Sequence, residues 1–172
     1  MPGELPTYYY HSHFVEMIRF VEAHYGHVLL DSHDAFIRDF ERLPADAQRL
    51  YVRLVNRKGH VFAAHRLKYP ELGDTAPLVA ILREQGWLES PSEAHFDELL
   101  GFLTRAELHE ALAPMFVGLP GSMKKAEFVE FARANCTPAD FVSRADLSRL
   151  VVQSRADEVA FLMFLYFGRL QE

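Results

Sequence analysis

The sequence has a single cysteine, no long apolar run and no segment typical of a secretion signal. One cysteine, Cys136, excludes a disulfide within the chain and any zinc site built from several cysteines. The longest apolar run covers residues 159–167 and is far shorter than the ~20 residues that a membrane-spanning helix needs. Residues 1–20 contain no basic stretch followed by an apolar core, so no signal peptide is predicted. These absences predict a cytoplasmic protein in a reducing environment, with no membrane partner.

The chain also lacks an excess of positive charge. Its formal net charge is −6, which argues against a protein that binds nucleic acid with its whole surface. Acidic residues are nevertheless absent from residues 49–69, where six basic side chains occur: Arg49, Arg53, Arg57, Lys58, Arg66 and Lys68. Because only the contacting face must be positive, this window predicts local binding of a polyanion.

Alternation typical of strands is scarce, and apolar residues recur at helical spacing, so the sequence predicts a mostly α protein. A first helix is indicated by four apolar residues on one side: Phe14, Ile18, Val21 and Tyr25. Ser32 is predicted to cap a second helix that stops at Pro44. A third helix is expected over residues 45–58, ending at Gly59. It would place Arg49, Arg53 and Arg57 along one side.

The next segment has the element order of a winged helix-turn-helix. Asp74 or Thr75 can cap a fourth helix that ends at Gly86, and Trp87 and Leu88 resemble a short strand or wing. Helix, short extended piece, helix and short strand is the order found in that motif. We therefore expect a winged-helix-like region over residues 1–90, with a boundary at Pro91 and the acidic stretch that follows.

Residues 98–134 resemble the SAP motif, a helix-turn-helix DNA-binding unit. Thr-Arg-Ala-Glu at 104–107 predicts a capping box, Gly-Leu-Pro at 118–120 reverses the chain, and a second helix is expected from Ser122 to about Asn135. The resemblance implies backbone contacts where the second helix starts, at five positions: Gly118, Gly121, Ser122, Lys124 and Lys125. A helix N-terminus offers free N–H groups to a phosphate. Residues 91–136 are therefore expected to form a SAP-like DNA-binding domain.

Two further stretches strengthen a family resemblance. RLYVRLVNRKG at 49–59 and LKYPELGDTAPLVAILREQGWLE at 67–89, with the SAP-like segment, resemble the N-terminal portion of the bacterial Fanconi-associated nucleases, the VRR-NUC phosphodiesterase I family. The resemblance implies that helical-repeat and nuclease domains follow. It also implies cutting of branched or 5′-flap DNA in interstrand-crosslink repair, with Mg²⁺ or Mn²⁺ in the nuclease domain. The chain would then be nucleoid-associated.

The nuclease signature of that family is absent from these 172 residues. A Pro-Asp followed by a Glu-x-Lys-like pair would supply the metal-binding carboxylates, and the lysines at 124 and 125 instead follow Ser122-Met123. We therefore expect this chain to bind DNA without catalysis and to hold no cofactor or metal of its own.

Residues 137–172 are expected to form C-terminal helices that lead to a missing downstream domain. Thr137-Pro138 is typical of a helix start, and the last helix contains residues 158–167. Because residues 159–167 are all apolar, that helix has no face suited to water. Four of its residues are predicted to form an interface with downstream domains or with a second copy: Phe161, Phe164, Leu165 and Phe167.

Two other functions are compatible with the sequence. A winged-helix transcriptional regulator that reads duplex sequence needs polar side chains at the start of its recognition helix, and TAPLVAILREQG carries them only near its end. A protein-interaction domain without a DNA role would suit the net acidity. In that case the arginines form a solvated face, with Asp46 paired to Arg49 or Arg53.

The nine histidines also raise the question of a metal site. His11 with His13, and His24 with His27, are pairs near Asp31 and His33. A catalytic zinc site needs three converging ligands, so histidines spread over helix surfaces are the preferred interpretation. Cys136 is interpreted as a small core residue.

Overall fold

A computed structural model of the chain describes residues 5–168. Helices dominate this range, which confirms the mostly α prediction, and none of them is long and apolar enough to cross a bilayer. The helices are α1 (Tyr9–Tyr25), α2 (Asp31–Arg42), α3 (Ala45–Val55), α4 (Ala76–Glu84), α5 (Phe96–Phe102), α6 (Arg105–Leu112), α7 (Lys125–Asn135), α8 (Pro138–Arg144) and α9 (Ala156–Gly168). The strands are β1 (Val61–Ala63), β2 (Leu88–Glu89) and β3 (Leu150–Gln153).

The described residues form two compact units. Residues 5–60, 66–89 and 153–168 make the first unit, and residues 61–65 and 90–152 make the second. The expected segments 1–90, 91–136 and 137–172 are each continuous in sequence, whereas both units combine separate stretches of the chain. Residues 137–152 belong to the second unit, and α9 belongs to the first.

The core of the first unit is centred on Trp87, which is 1% exposed. Three aromatic rings surround its indole, with centroids 5.0 Å away for Tyr51, 5.2 Å for Phe36 and 6.0 Å for Phe40. Edge-on contacts of this kind stabilise a core beyond the area that they bury. The apolar stripe of α1 is also buried, apart from Tyr25, which is half-buried.

Two helix boundaries of the first unit differ from the expectation. The N-cap of α2 is Leu30, whose N–H donates to His33 Nδ1 at 3.0 Å, so the prediction that Ser32 caps this helix is wrong. Helix α3 ends at Val55, three residues before the predicted end. The N–H of Asn56 donates to Val52 O at 3.1 Å, and the chain then turns through Gly59, whose φ of 82° favours glycine.

The second unit contains an antiparallel pair of strands that the sequence did not predict. Val61 lies opposite Val152, and Ala63 lies opposite Leu150. All four residues of β3 are buried, three of them apolar and the fourth Gln153, so the strand shows no alternation of apolar and polar residues. The strands pack against a core of buried side chains from α5 to α8: Phe96, Leu99, Leu100, Leu108, Leu112, Phe128, Ala132 and Phe141.

Two of the three predicted helix starts in the second unit are confirmed. Thr104 Oγ1 accepts from the N–H of Glu107 at 3.2 Å, and Glu107 Oε1 accepts from the N–H of Thr104 at 3.0 Å. Thr137 Oγ1 accepts from the N–H of Asp140 at 3.1 Å. The third is wrong, because α7 begins at Lys125 and leaves Ser122 in the preceding turn.

The different roles of Thr104 and Ser122 lead to a stability prediction. We expect Thr104→Ala to lower the free energy of unfolding by about 1 kcal/mol, because it removes a helix cap. Ser122→Ala is the matched control and should change it by less than about 0.5 kcal/mol, since this exposed hydroxyl bonds to no described residue. Urea denaturation followed by circular dichroism measures both values. Equal losses in the two variants would contradict the assigned helix boundaries.

Candidate nucleic-acid interface

The acid-free window starts on α3 and continues beyond it. Arg49 and Arg53 lie on the helix, whereas Arg57 and Lys58 follow its end at Val55. The predicted continuous stripe of Arg49, Arg53 and Arg57 along one helix is therefore wrong at its third member. The window divides into two groups of side chains, which differ in how the surrounding protein engages each cation.

Arg49 is engaged within the structure. Its Nη1 donates to Asp46 Oδ1 at 2.7 Å, the pairing that the solvated-face interpretation expects. Its guanidinium carbon lies 3.6 Å from the ring centroid of Tyr8, in cation–π geometry. With one carboxylate and one aromatic partner, the charge of Arg49 is compensated before any ligand arrives.

Arg53 is compensated more completely. Its Nε donates to Glu71 Oε1 at 2.8 Å, and its Nη2 donates to the same oxygen. The guanidinium carbon lies 4.0 Å from the ring centroid of Tyr10 and 5.1 Å from that of Tyr69. The Tyr10 hydroxyl also donates to Glu71 Oε1, at 3.2 Å. This cluster connects α1, α3 and the segment that contains Glu71.

The cluster shifts the ionisation of its members. Burial, followed by the charge of Glu71, raises the pKa of Tyr10 to about 12. Burial alone would raise the pKa of Glu71, but the hydrogen bonds from Arg53 and Tyr10 outweigh it, so this pKa lies below its ordinary value. Burial likewise works against the charge of Arg53, and its bond to Glu71 raises the pKa of the guanidinium overall.

Four other basic residues form what we call the basic surface: Arg57, Lys58, Arg66 and Lys68. All four are exposed. The side chains of Lys58, Arg66 and Lys68 make no hydrogen bond or ion pair with any described residue. Arg57 Nη1 lies 3.5 Å from the Tyr69 hydroxyl. Three of these cations line a shallow recess whose other described lining residues are Arg53, Asn56 and Tyr69, none of them acidic.

A buried leucine holds two of these cations in place. Leu67 is 1% exposed, whereas its neighbours Arg66, at the end of a short 3-10 helix, and Lys68 are both exposed to solvent. The Thr75 hydroxyl donates to Leu67 O at 2.6 Å, which satisfies this buried carbonyl and ties the segment to the residue that precedes α4. The positions of both cations are therefore set by a fixed segment of the fold.

Helix α4 offers little to base edges. Its buried residues are Val79 and Leu82, and its first exposed residues are Ala76, Pro77 and Ala80. None of these three side chains can donate or accept a hydrogen bond. The exposed start of this helix therefore lacks the groups that direct readout in the major groove requires.

In the second unit, the two lysines of the SAP-like segment have different environments. Lys125 Nζ donates to Gly101 O at 2.7 Å. Lys124 is exposed, and its ammonium has no described partner. The N–H of Lys124 donates to Glu127 Oε1 at 3.3 Å, so the helix's own carboxylate already lies at the start of α7.

The turn before α7 is held by the protein itself. Arg105 Nη1 donates to Gly121 O at 2.9 Å. Gly118 has a φ of 82°, a conformation that glycine adopts more readily than other residues. A Cβ at Gly121 would meet only the His109 ring, at 3.6 Å, an ordinary contact. Of the five predicted contact positions, Ser122 and Lys124 thus offer side chains without described partners.

The histidines of the described residues do not converge. No group of three His, Cys, Asp or Glu side chains between residues 5 and 168 is placed to hold a metal ion. His11 Nε2 lies 2.8 Å from Gln48 Oε1, and His24 Nδ1 bonds to Phe20 O at 3.0 Å. Cys136 is half-buried at the edge of the second core, where burial raises the pKa of its thiol.

The apolar residues of α9 are covered unequally. Phe161 stacks on His33 with centroids 4.3 Å apart, and Leu165 is half-buried. Phe164 is 71% exposed and Phe167 is 44% exposed. The predicted interface residues therefore fall into two covered and two exposed side chains.

Fold and site together define a mostly helical protein whose first unit carries an exposed basic surface. Residues 8–89 match the helix-turn-helix domain of the FAN1 family. The Fanconi-associated nuclease 1 homolog of Pseudomonas aeruginosa is 36% identical over 105 residues, which are 61% of this chain and 19% of that protein. Fanconi-associated nuclease 1 of Danio rerio is 31% identical over 159 residues, or 84% of this chain and 16% of the relative.

Solved structures agree with these relatives. Crystal structures of paFAN1 bound to gapped 5′-flap DNA with a 2-nucleotide or a 1-nucleotide flap match with TM-scores of 0.78 and 0.79. The first is 27% identical and covers 99% of this chain and 32% of its own chain. The protein belongs to the Fanconi-associated nuclease family. It spans about a third of the solved relatives and about a fifth or less of these curated ones.

The cluster around Glu71 gives a pH prediction. We expect Glu71→Gln to lower the free energy of unfolding at pH 7 by about 1–2 kcal/mol. This is near the low end of the range for hydrogen bonds to charged groups, because about a third of the Arg53 side chain is exposed to water. Because the pKa of Glu71 is lowered in the folded state, its carboxylate stabilises the fold fully at pH values above its ordinary pKa of 4.5. This stabilisation is lost as the pH falls through the folded-state pKa. The difference between wild type and variant should therefore close on acidification below about pH 4.5.

Urea titrations from pH 7 to pH 3 measure this difference. Asp97→Asn is the control, because its 3.3 Å pair with Arg133 is well exposed and should contribute little at any pH. A gap between wild type and Glu71→Gln that stays constant across the range would contradict the assigned role of the carboxylate.

Proposed function

We propose that this chain is the DNA-binding region of a structure-specific nuclease that acts on 5′-flap or branched DNA in interstrand-crosslink repair. One observation carries the proposal: the basic surface lies within the residues that match the FAN1 helix-turn-helix domain, and three of its four cations have no described partner. The binding of paFAN1 to 5′-flap DNA supports the choice of ligand.

Contact with phosphate accounts for this surface better than contact with bases. Lysine and arginine side chains that approach the backbone release counterions and position the protein without reading sequence. The exposed start of α4 carries Ala76, Pro77 and Ala80, which favours the backbone role over a sequence-reading regulator. We expect little discrimination between unrelated duplex sequences.

The SAP-like segment would supply further backbone contacts. Lys124 and Ser122 are the two predicted positions whose side chains remain available. Lys125 would contribute its charge while its ammonium stays bonded to Gly101 O. Backbone contacts made by two separate segments suit a nuclease that selects DNA by its bend or branch.

We propose that the described residues bind DNA without cleaving it. Metal-dependent hydrolysis of DNA needs carboxylates that converge on Mg²⁺ or Mn²⁺, and residues 5–168 offer no group of three such ligands. We propose that the metal of the whole nuclease is held by residues elsewhere in the longer family proteins.

Neutralising part of the basic surface tests the proposal. We expect the triple substitution Lys58→Gln, Arg66→Gln and Lys68→Gln to weaken binding of 5′-flap DNA similarly for unrelated sequences. The slope of log affinity against log salt should flatten by up to ~0.9 for each duplex phosphate that the variant no longer neutralises. Fluorescence anisotropy from 50 to 200 mM salt, a range over which phosphate contacts change affinity by orders of magnitude, measures both effects.

A second triple substitution is the matched control. Arg19→Gln, Arg38→Gln and Arg42→Gln remove the same charge from exposed positions of α1 and α2, where Glu22, Asp34 and Glu41 lie nearby. Equal weakening by both triples would show that net charge alone matters. The labelled flap strand should also stay uncut after incubation with Mn²⁺, and cutting that copurifies with the chain would contradict the non-catalytic role.

We also propose that the exposed side of α9 packs on another part of the longer family proteins. Phe164 and Phe167 expose large apolar rings on one side of α9. Exposed apolar patches of this kind mark interfaces. The solved relative is about three times longer than the part matched here, so it has residues to cover this face.

In the isolated chain this face should drive self-association. Sedimentation across a dilution series is expected to show mass increasing with concentration, and Phe164→Ser with Phe167→Ser should abolish the increase. Val117→Ser is the control, because Val117 is fully exposed on a loop of the second unit. A wild-type chain that stays monomeric at every concentration would contradict the interface.

A further inference from the structure

We infer that a second recess, next to the basic surface, receives one unpaired nucleobase of a DNA strand whose phosphates contact that surface. This inference rests on the proposed function and names the part of the substrate that the first unit distinguishes. The recess, called here the α9 recess, lies between the loop after α3 and one side of α9. No residue of the second unit lines it.

The space exists because small residues occur where the two elements face each other. Ala156 and Ala160 are one turn apart on α9 and line the recess, whereas residues 161–167 of the same helix are all large. Gly59 lines the opposite side, and its φ of 82° disfavours any side chain there. The recess measures about 150 Å³. An engineered protein cavity of about 150 Å³ binds benzene, so the recess suits a single ring system.

Arg57 links the two recesses. It lines the basic recess together with Arg66 and Lys68, and it also lines the α9 recess together with His60 and Met163. In a nucleotide the base on C1′ and the phosphates on C3′ and C5′ belong to the same sugar, so a strand on the basic surface would bring a base to the neighbouring opening. Leaving the stack costs a paired base more free energy than an unpaired one, because the paired base also loses its hydrogen bonds.

The lining has the chemistry of a base site. Arg57 and His60 carry planar groups that stack on bases, and Met163 and Val159 supply apolar contact. Gln153 is 7% exposed and lines the recess. Its Nε2 donates to the Tyr51 hydroxyl at 3.4 Å, while its Oε1 accepts from no described residue. The amide oxygen can accept a hydrogen bond from the edge of a base.

Filling the recess tests the inference. The probes are three duplexes: one blunt, one with a two-nucleotide 5′ overhang, and one with the same overhang made abasic, which keeps the phosphates. We expect wild type to bind the normal overhang about fivefold or more tightly than the abasic one, as stacking of one base provides. Ala160→Leu should reduce this ratio to about one and leave affinity for the blunt duplex unchanged.

Ala160 is exposed on a helix, where leucine is well tolerated, and circular dichroism checks the fold. Ala23→Leu is the control, at an exposed position of α1 away from the recess, and should keep the wild-type ratio. A 2-aminopurine in the overhang gives a second readout, because its fluorescence should be quenched by wild type and by Ala23→Leu but not by Ala160→Leu.

The outcomes separate the two proposals. Equal wild-type affinity for the normal and abasic overhangs, or a ratio that survives Ala160→Leu, would overturn the recess as a base site. Binding of the blunt duplex would then still support the proposed function. Absence of binding to all three duplexes would overturn the proposed function and the recess together.

Discussion

The buried side chain of Trp87 makes the contact on which the first unit depends. The backbone N–H of this residue donates to Leu82 O at 2.8 Å, and its carbonyl accepts from the N–H of Ser154 at 3.0 Å. The Arg155 guanidinium lies 4.4 Å above the indole ring and pairs with Asp39 at 2.8 Å. Arg155 has a φ of 61°, a left-handed conformation that costs an ordinary residue about 1 kcal/mol and persists because both partners hold its side chain. This arrangement fixes the start of α9, and with it one side of the α9 recess.

Charge alone does not decide which basic residues of the window are available to a ligand. Arg49 and Arg53 are as basic as their neighbours, yet each meets a carboxylate and an aromatic ring before any ligand arrives. Displacing Glu71 from Arg53 would break several hydrogen bonds to a half-buried pair, whereas contact with Lys58 or Lys68 breaks none. The acid-free window is therefore part scaffold and part exposed surface open to a ligand, and the boundary between the two lies near the end of α3.

Local sequence signals predicted the features whose causes are local. The apolar spacing of α1 and the capping box at Thr104 are contained within a few residues, and both appear in the structure. The early end of α3 depends on how the loop to Gly59 packs, and Glu71 reaches Arg53 across 18 positions, so neither could be read from spacing. The one available signal was that Glu71 is the first acid after the window. Strand β3 was missed because burial of all its residues removes the alternation that marks a strand.

The exposed start of α4 has a consequence for how such a protein finds its place on a chromosome. The side chains of Ala76, Pro77 and Ala80 cannot form the hydrogen bonds that would favour one base sequence among the 10⁶–10⁹ competing sites of a genome. A search guided by this surface would treat intact duplex as a uniform track, held by charge and released by salt. Residence time would then lengthen only where the track itself is broken or branched. The geometry of the DNA lesion, and not the base sequence, would determine where the protein stays bound.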